Sequence, residues 1–421
     1  MDPKFEVLKT VPRAGARYSR TGRLTFQRSE FKTPCLFAPT VRGAIPHLTP
    51  DHVAVQPAHV AIEDYIGARG RPSDLLTKGE EQFSKKATAL DPLRKSPVLL
   101  GLRRLQPVPP AQANSNTGVG IMTTEGFVRL EVPDFYKYAQ NTDADVIFTP
   151  IDEPTASQDG IPGKTRSQKM VKRAIDWWDA LPSTLRHKAV PPAVYGQGWW
   201  PQDHYLVSLN TDGYFGLQFA TLKEARSRKR KADEGTPDLD ENDNIDSLID
   251  IEQIVNRAGA NRKPLFYTGN DVHTPQSVLN LVQLGFDVIP NIAPVQASNS
   301  GSAFIFNFEK PSGKLAINLW EGFTTDMSGI SPDCDCYSCK KIHRAYIQHL
   351  LQAGEMSAWV FLQIHNFHTW NKFIVDVQNS IEDETINAKI DEFVAVYGDQ
   401  DAASKFLAEI SMNAILPRET K

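Results

Sequence analysis

PLFYTGNDVHTPQSVLNLVQLGFDVIPNI, residues 264–292, carries the pattern on which the fold turns. PLFYTG (264–269) and DVIPNI (287–292) are short β-rich runs, and the stretch between them has the punctuation of a helix. Thr274 stands where a cap belongs, Pro275 fits the first turn because its missing N–H would be unpaired there anyway, and Gly285 stops the run. Strand, helix and strand in so short a span read as one parallel βαβ unit.

The alternation extends outward. SPVLLGL (96–102), ADVIFTP (144–150), PAVYGQG (192–198), GYFGLQF (213–219) and SAFIFNF (302–308) are further candidate strands. KTRSQKMVKRAIDWWDAL places Met170, Val171, Ala174, Ile175 and Trp178 at helical spacing. An open Rossmann sheet and a closed barrel both fit such a series. The first needs a glycine-rich phosphate loop after an early strand, and neither a GxGxxG nor a Walker sequence occurs in the early units. The expected fold class is therefore α/β, a (β/α)8 TIM-type barrel.

Composition sets wider bounds. The chain has 421 residues, 41% hydrophobic and 23% charged, with a net charge of −4. Its pI near 6.2 argues against coating nucleic acid by bulk positive charge, so any such contact should be a local patch. No apolar run reaches the roughly 18 to 20 residues of a membrane span, and MDPKFEVLKT lacks the apolar core of a secretory signal. An intracellular protein without a transmembrane segment is expected. The block RSRKRK (Arg226 to Lys231) runs into an acidic stretch, and blocky charge with few apolar residues predicts a disordered surface insertion at about 222–262. Nuclear import or RNA contact is the other reading of the basic block.

Three of the four cysteines, Cys334, Cys336 and Cys339, form C-x-C-x-x-C, while Cys35 stands apart as a small buried residue. Four cysteines in so long a chain make no disulfide framework, and a tight thiol cluster in a reducing compartment means metal. Three thiolates wrapped by a turn suit Zn²⁺, which takes four ligands in a tetrahedron. The spacing leaves the fourth ligand open. His343 is nearest, on a helix that starts directly after the knuckle, where it and His349 also read as polar neighbours. His365 lies on a second helical stretch, MSAWVFLQIHNFHTW, whose antiparallel return would bring it back.

C-x-C-x-x-C, then HRAYIQHLL, then Glu355 and HN, with 25 residues between Cys339 and His365, resembles the zinc motif of the tRNA-guanine transglycosylases. FTPIDEPTAS is similar to the family's FDEC strand end, VYGQGWW to its Gln-Gly-rich segment, TDGYFGLQF to FDGYAIGGL, and LVQLGFDVIPNIAPVQASNSG to RGVDxFDxxxPTRxxRxG. The resemblance covers most of residues 100–370, in the family's order. It implies a (β/α)8 barrel with an inserted zinc subdomain, one structural Zn²⁺ per chain held by Cys334, Cys336, Cys339 and His365, and exchange of a guanine base in tRNA. It also implies the domain layout of a barrel over 1–330, a zinc subdomain over 331–375, and a C-terminal helical segment over 376–421 that completes the barrel.

The family's chemistry needs an aspartate nucleophile and a second carboxylate. Aligning Gly285-Phe286-Asp287 with the family's Gly-Val-Asp puts Pro290 at the nucleophile's position, and proline cannot attack. QANSNTGVGIMTTEG, in the region of the catalytic DSGGFQ motif, has no Asp, and Gln296 replaces the arginine of the PTR segment. No catalytic residue is therefore expected. Asp152 matches the base-recognising aspartate and implies a weak base-binding pocket, or else a loop cap or ion-pair partner at a strand end.

PTVRGAIPHLTPDHV and CDCYSCKKIHRAYIQHLL resemble the accessory, non-catalytic branch of the family. That branch pairs with a catalytic queuine tRNA-ribosyltransferase subunit, and the heterodimer inserts queuine at the tRNA wobble position. The implied partners are that subunit and tRNA, with self-pairing as a homodimer in isolation. The implied location is the cytoplasm, with peripheral association with the mitochondrial outer membrane. The alternative is an autonomous base-exchange enzyme using Asp287 or Asp152. Strand alternation sets Asp287, three positions from Pro290, on the opposite face.

Overall fold

The computed structural model describes residues 2–13, 17–67, 71–77, 96–105, 114–123, 126–152, 164–193, 206, 207, 209, 213–220 and 251–414. The chain opens with an antiparallel sheet of β1 (Lys4–Arg13), β2 (Arg17–Thr25) and β3 (Glu30–Thr33). The barrel begins with β4 (Cys35–Pro39), β5 (Ala58–Ala61) and β6 (Val98–Gly101). An antiparallel hairpin, β7 (Gly118–Thr123) and β8 (Gly126–Glu131), interrupts it. The barrel resumes with β9 (Val146–Phe148), β10 (Ala189–Val190), β11 (Leu217–Phe219), β12 (Leu265–Tyr267) and β13 (Val288–Pro290).

These eight barrel strands are all parallel, and each lies beside the next in chain order, with β13 beside β4. Between β10 and β11 the wall closes through a parallel bridge of Pro192 with Gln218, where Gln218 N donates to Pro191 O and Ala193 N to Gln218 O. The fold is a (β/α)8 TIM-type barrel. Alternate side chains divide as such a barrel requires. Phe37, Leu99, Val146, Phe148, Phe266 and Val288 share an inner cluster. Leu36, Leu100, Ile147, Leu217, Leu265 and Ile289 pack in the outer one with the helices.

The N-terminal sheet closes the floor, for Leu24 and Phe26 join the inner cluster. Asp287, immediately before β13, is fully buried at that same end. Its carboxylate accepts from Arg20 at both oxygens, from Thr33 Oγ1 at 3.2 Å and from Leu265 N at 2.8 Å. The helix Pro275–Gln283 forms where the sequence predicts it, with Thr274 Oγ1 accepting from Ser277 N and Gly285 at φ 80° just after.

Four expectations change. SAFIFNF is not a barrel strand: only Ser302–Phe304 (β14) is extended, paired antiparallel with β15 (Ala316–Asn318). Gly301, at φ 72°, turns the chain back before it can rejoin the wall. The strand sought in PAVYGQG lies earlier, at Ala189–Val190, and 194–198 fall outside the described residues. The insertion expected at about 222–262 does not extend over 251–262, because Ile251–Arg257 is a helix with Ile251, Ile254 and Val255 buried. That i, i+3, i+4 stripe supplies the apolar face the acidic run lacks; RSRKRK and the acidic stretch lie outside the described residues. Finally, one helix, Ser357–Glu382, runs unbroken across the expected boundary at 375/376. Its Trp370, Phe373 and Val377 share the outer barrel core with Ile390 and Phe393 of the following helix Ile386–Tyr397.

Candidate metal centre and barrel mouth

The knuckle is built locally. Cys336 caps a one-turn helix, Tyr337–Lys341, its sulfur accepting from Cys339 N at 3.4 Å, so two of the thiols face inward from a single turn. The next helix, Arg344–Ala353, leads away, and Ser357–Glu382 returns with His365. The Sγ atoms of Cys334, Cys336 and Cys339 and a His365 ring nitrogen all lie within 4.8 Å of one another. His365 Nδ1 is 3.5, 3.7 and 3.3 Å from the three sulfurs in turn.

His365 Nε2 lies 2.7 Å from the Phe304 carbonyl oxygen. A carbonyl only accepts, so the proton sits on Nε2 and the Nδ1 lone pair is aimed at the thiols. Hydrogen bonds from Cys334 and Cys336 hold the Cys339 thiol well below the ordinary thiol range. That shift places negative charge at the centre, which a cation there would neutralise. This group could hold a metal ion, and its four donors leave a tetrahedral ion no open position.

The other histidines have different work. His343 caps the helix Arg344–Ala353, its Nδ1 accepting from Tyr346 N at 3.0 Å. His349 is exposed and stacks on Tyr346. Cys35, on β4, is buried in the barrel's inner cluster, where burial raises its thiol pKa.

Barrel enzymes of this class act at the C-terminal ends of their strands. Here β13 ends on Pro290 and β6 on Gly101. A Cβ at Gly101 would lie 2.2 Å from His59 Nε2. His59, on β5, lies beside Phe37 and Phe148, with ring centroids 6.2 and 5.9 Å away. Burial lowers its imidazole to about 3, and its Nδ1 has no partner among the described residues. The imidazole thus occupies space that a side chain at 101 would need. Much of the QANSNTGVGIMTTEG stretch forms β7 and the turn before it, outside the barrel wall, so the strand end preceding it is Gly101. Gln296 sits half-buried on the helix Ala293–Asn299.

Asp152 follows β9, and both of its oxygens are engaged. Asn114 Nδ2 donates to Oδ1 at 2.6 Å and Arg173 Nη1 to Oδ2 at 2.8 Å. Arg173 Nε also reaches Asn116 Oδ1, so this carboxylate ties the helix Lys164–Asp179 to the loop before β7. Asp287, by contrast, lies at the barrel floor and is saturated by Arg20, Thr33 and Leu265. Sequence reading did not find His59, since a lone histidine in AHVA carries no signal until its neighbours across the barrel are known.

A family profile described as queuine tRNA-ribosyltransferase (TGT) matches residues 16–399. The chain is 29% identical over 390 residues to queuine tRNA-ribosyltransferase accessory subunit 2 of Schizosaccharomyces pombe, covering 90% of this chain and 81% of that one. It is 24% identical over 411 residues to the queuine tRNA-ribosyltransferase of Pseudomonas aeruginosa, covering 94% and 97%. With that of Aliivibrio fischeri it shares 21% over 407 residues, covering 93% and 96%.

Proposed function

The chain belongs to the queuine tRNA-ribosyltransferase (TGT) family, and from that premise we propose that it is a non-catalytic accessory subunit, paired with a catalytic chain that exchanges guanine for queuine at the tRNA wobble position. The observation that carries this reading is Pro290 at the C-terminal end of β13. Covalent base exchange needs a carboxylate to attack the sugar carbon and a second to move protons. Proline and Gly101 offer neither, and the nearby imidazole of His59 is neutral. Asp152 is committed to Arg173 and Asn114, which favours its ion-pair role over base recognition.

The Cys₃His group is proposed to hold one Zn²⁺. Zn–S and Zn–N bonds of about 2.3 and 2.1 Å in a tetrahedron require S···N separations of about 3.6 Å, against 3.3 to 3.7 Å here. Zinc would clamp the knuckle to the helix Ser357–Glu382, a structural service with no reaction step.

The zinc module also supports the pairing. Tyr337 and Tyr346 are 47% and 42% exposed and Met356 80%. His52 packs on Tyr337 at 5.1 Å, and Tyr346 lies beside His343 and His349. Exposed aromatic and methionine side chains are what protein interfaces concentrate. In this reading they meet the catalytic chain, and tRNA is held by the pair. No helix among the described residues is long and apolar enough to cross a membrane, which is compatible with work in the cytoplasm and peripheral contact with a membrane surface.

The test is labelled-guanine exchange into tRNA by the full chain, alone and mixed with a catalytic subunit. Exchange is expected only in the mixture, and Tyr346→Glu should weaken the complex in size-exclusion chromatography while leaving bound zinc unchanged. Robust exchange by the chain alone would overturn the proposal.

A further inference from the structure

A cavity of about 220 Å³ lies outside the barrel wall, between the helix Pro275–Gln283 and the junction of the helices Ile386–Tyr397 and Gln400–Ala414. It is smaller than the pockets that enclose drug-sized molecules and far larger than a single water needs. Leu279, Ile390 and Val394 give it an apolar wall, and Asp399 and Asp401 stand on it as exposed acids. Asp399 Oδ1 accepts from Ala402 N at 2.9 Å, and neither carboxylate has an ion-pair partner among the described residues. None of the lining residues is basic.

The acids by themselves have a structural use, because negative charge in the first turn suits the positive end of the helix Gln400–Ala414. Gln276 is not explained that way. Its side chain lines the same cavity and is 2% exposed, with Nε2 donating to Gly398 O at 3.1 Å. A backbone carbonyl only accepts, so that bond fixes the amide's orientation and makes the remaining atom the oxygen. This Oε1 is buried and has no partner among the described residues. A buried acceptor left unpaired is costly, and here it calls for a donor from outside the chain. Gly398 directly precedes Asp399, so the free amide oxygen and the two carboxylates border one space. A divalent cation would need six or more oxygens around it, which an apolar wall does not supply. An ammonium on a hydrocarbon stem uses the acceptor, the negative charge and the apolar wall together.

We propose that this cavity binds an aliphatic primary amine as its ammonium ion, with an N–H on Gln276 Oε1, the charge facing Asp399 and Asp401, and the carbon chain on Leu279, Ile390 and Val394. The inference stands apart from the accessory-subunit reading, since it needs neither a catalytic partner nor the zinc module.

The experiment is calorimetric titration of the full chain at low salt with n-butylamine, putrescine, spermidine and Nα-acetyl-lysine amide, with n-butanol and Mg²⁺ as controls. Asp399→Asn combined with Asp401→Asn removes both charges, and an asparagine at 399 still caps the helix. Gln276→Met removes the amide oxygen in a side chain of similar length. The carboxylate pair is expected to weaken amine binding by about three- to tenfold, and Gln276→Met by about tenfold. Should Gln276→Met fail to fold, the carboxylate pair decides alone. Saturation by the free amines but not by butanol, weakened in the variants, assigns a free aliphatic amine. Saturation only by the lysine derivative, weakened likewise, assigns the same ammonium chemistry to a lysine side chain. Binding unaltered in the carboxylate double variant, no binding of any amine by the parent, butanol binding as tightly as butylamine, or Mg²⁺ binding more tightly than the amines overturns the site.

Discussion

Arg20 and Asp287 are buried together where the N-terminal sheet meets the barrel floor. Arg20 also donates to the carbonyls of Asn261 and Lys263, so the pair sews β2 to the loop before β12 and the start of β13. Removing one member of such a pair leaves an uncompensated buried charge. Arg20→Met is expected to destabilise the fold by about 3–5 kcal/mol, whereas the double change Arg20→Met with Asp287→Leu should cost less than the single one; chemical denaturation of both variants measures this. His59 makes a pH prediction. Its imidazole is held at about 3 by burial, against about 6.5 in an unfolded chain. Between those values the unfolded chain takes up a proton that the native one refuses. Stability from this group is therefore full above pH 6.5 and declines as pH falls toward 3, by up to about 1.4 kcal/mol per unit. His59→Leu should flatten that part of the acid limb in thermal melts; an unchanged slope would count against a neutral buried imidazole.

The helix Ser357–Glu382 is the element that unites the molecule. Asn366 on it is fully buried: Oδ1 accepts from Phe304 N at 2.8 Å, and Nδ2 donates to Ser298 Oγ and Ser302 O. One residue away, His365 faces the knuckle while holding Phe304 O. Asn366→Ala would orphan a buried backbone N–H and is expected to cost about 2–3 kcal/mol, read as an earlier urea transition; a shift of a few tenths would mean that water replaces the amide. At this scale the sequence was legible where periodicity is local. The helices Lys164–Asp179 and Pro275–Gln283 lie where apolar spacing and caps predict them. CLFAP and AHVA, which became β4 and β5, went unread because alanine and proline dilute the β-branched and aromatic residues that mark a strand. SAFIFNF was over-read for the converse reason: its composition suits a strand, but nothing local says which sheet it joins.

For the whole molecule, the Cys₃His group is the joint between a knuckle and a helix that also packs on the barrel. If it holds Zn²⁺ as proposed, a strong chelator should lower the melting temperature by several degrees and open Cys336 to alkylation, and added Zn²⁺ should reverse both. Unchanged calorimetry after demetallation would mean that packing of Ile347, Leu350, Leu351 and Leu362 suffices to hold the module. By itself the sequence determined the alternating α/β class, the helix ends and the cluster of three thiols, because each depends on residue type and short-range spacing, whereas the reading of Pro290 came from the family resemblance. Only the tertiary structure decided that His365 and not His343 faces the thiols, that Asp152 is tied to Arg173 and Asn114, and that His59 takes up the space beside Gly101. Those outcomes depend on which distant segments meet, and a contact across tens or hundreds of residues is set by packing of the whole barrel, which no local pattern encodes.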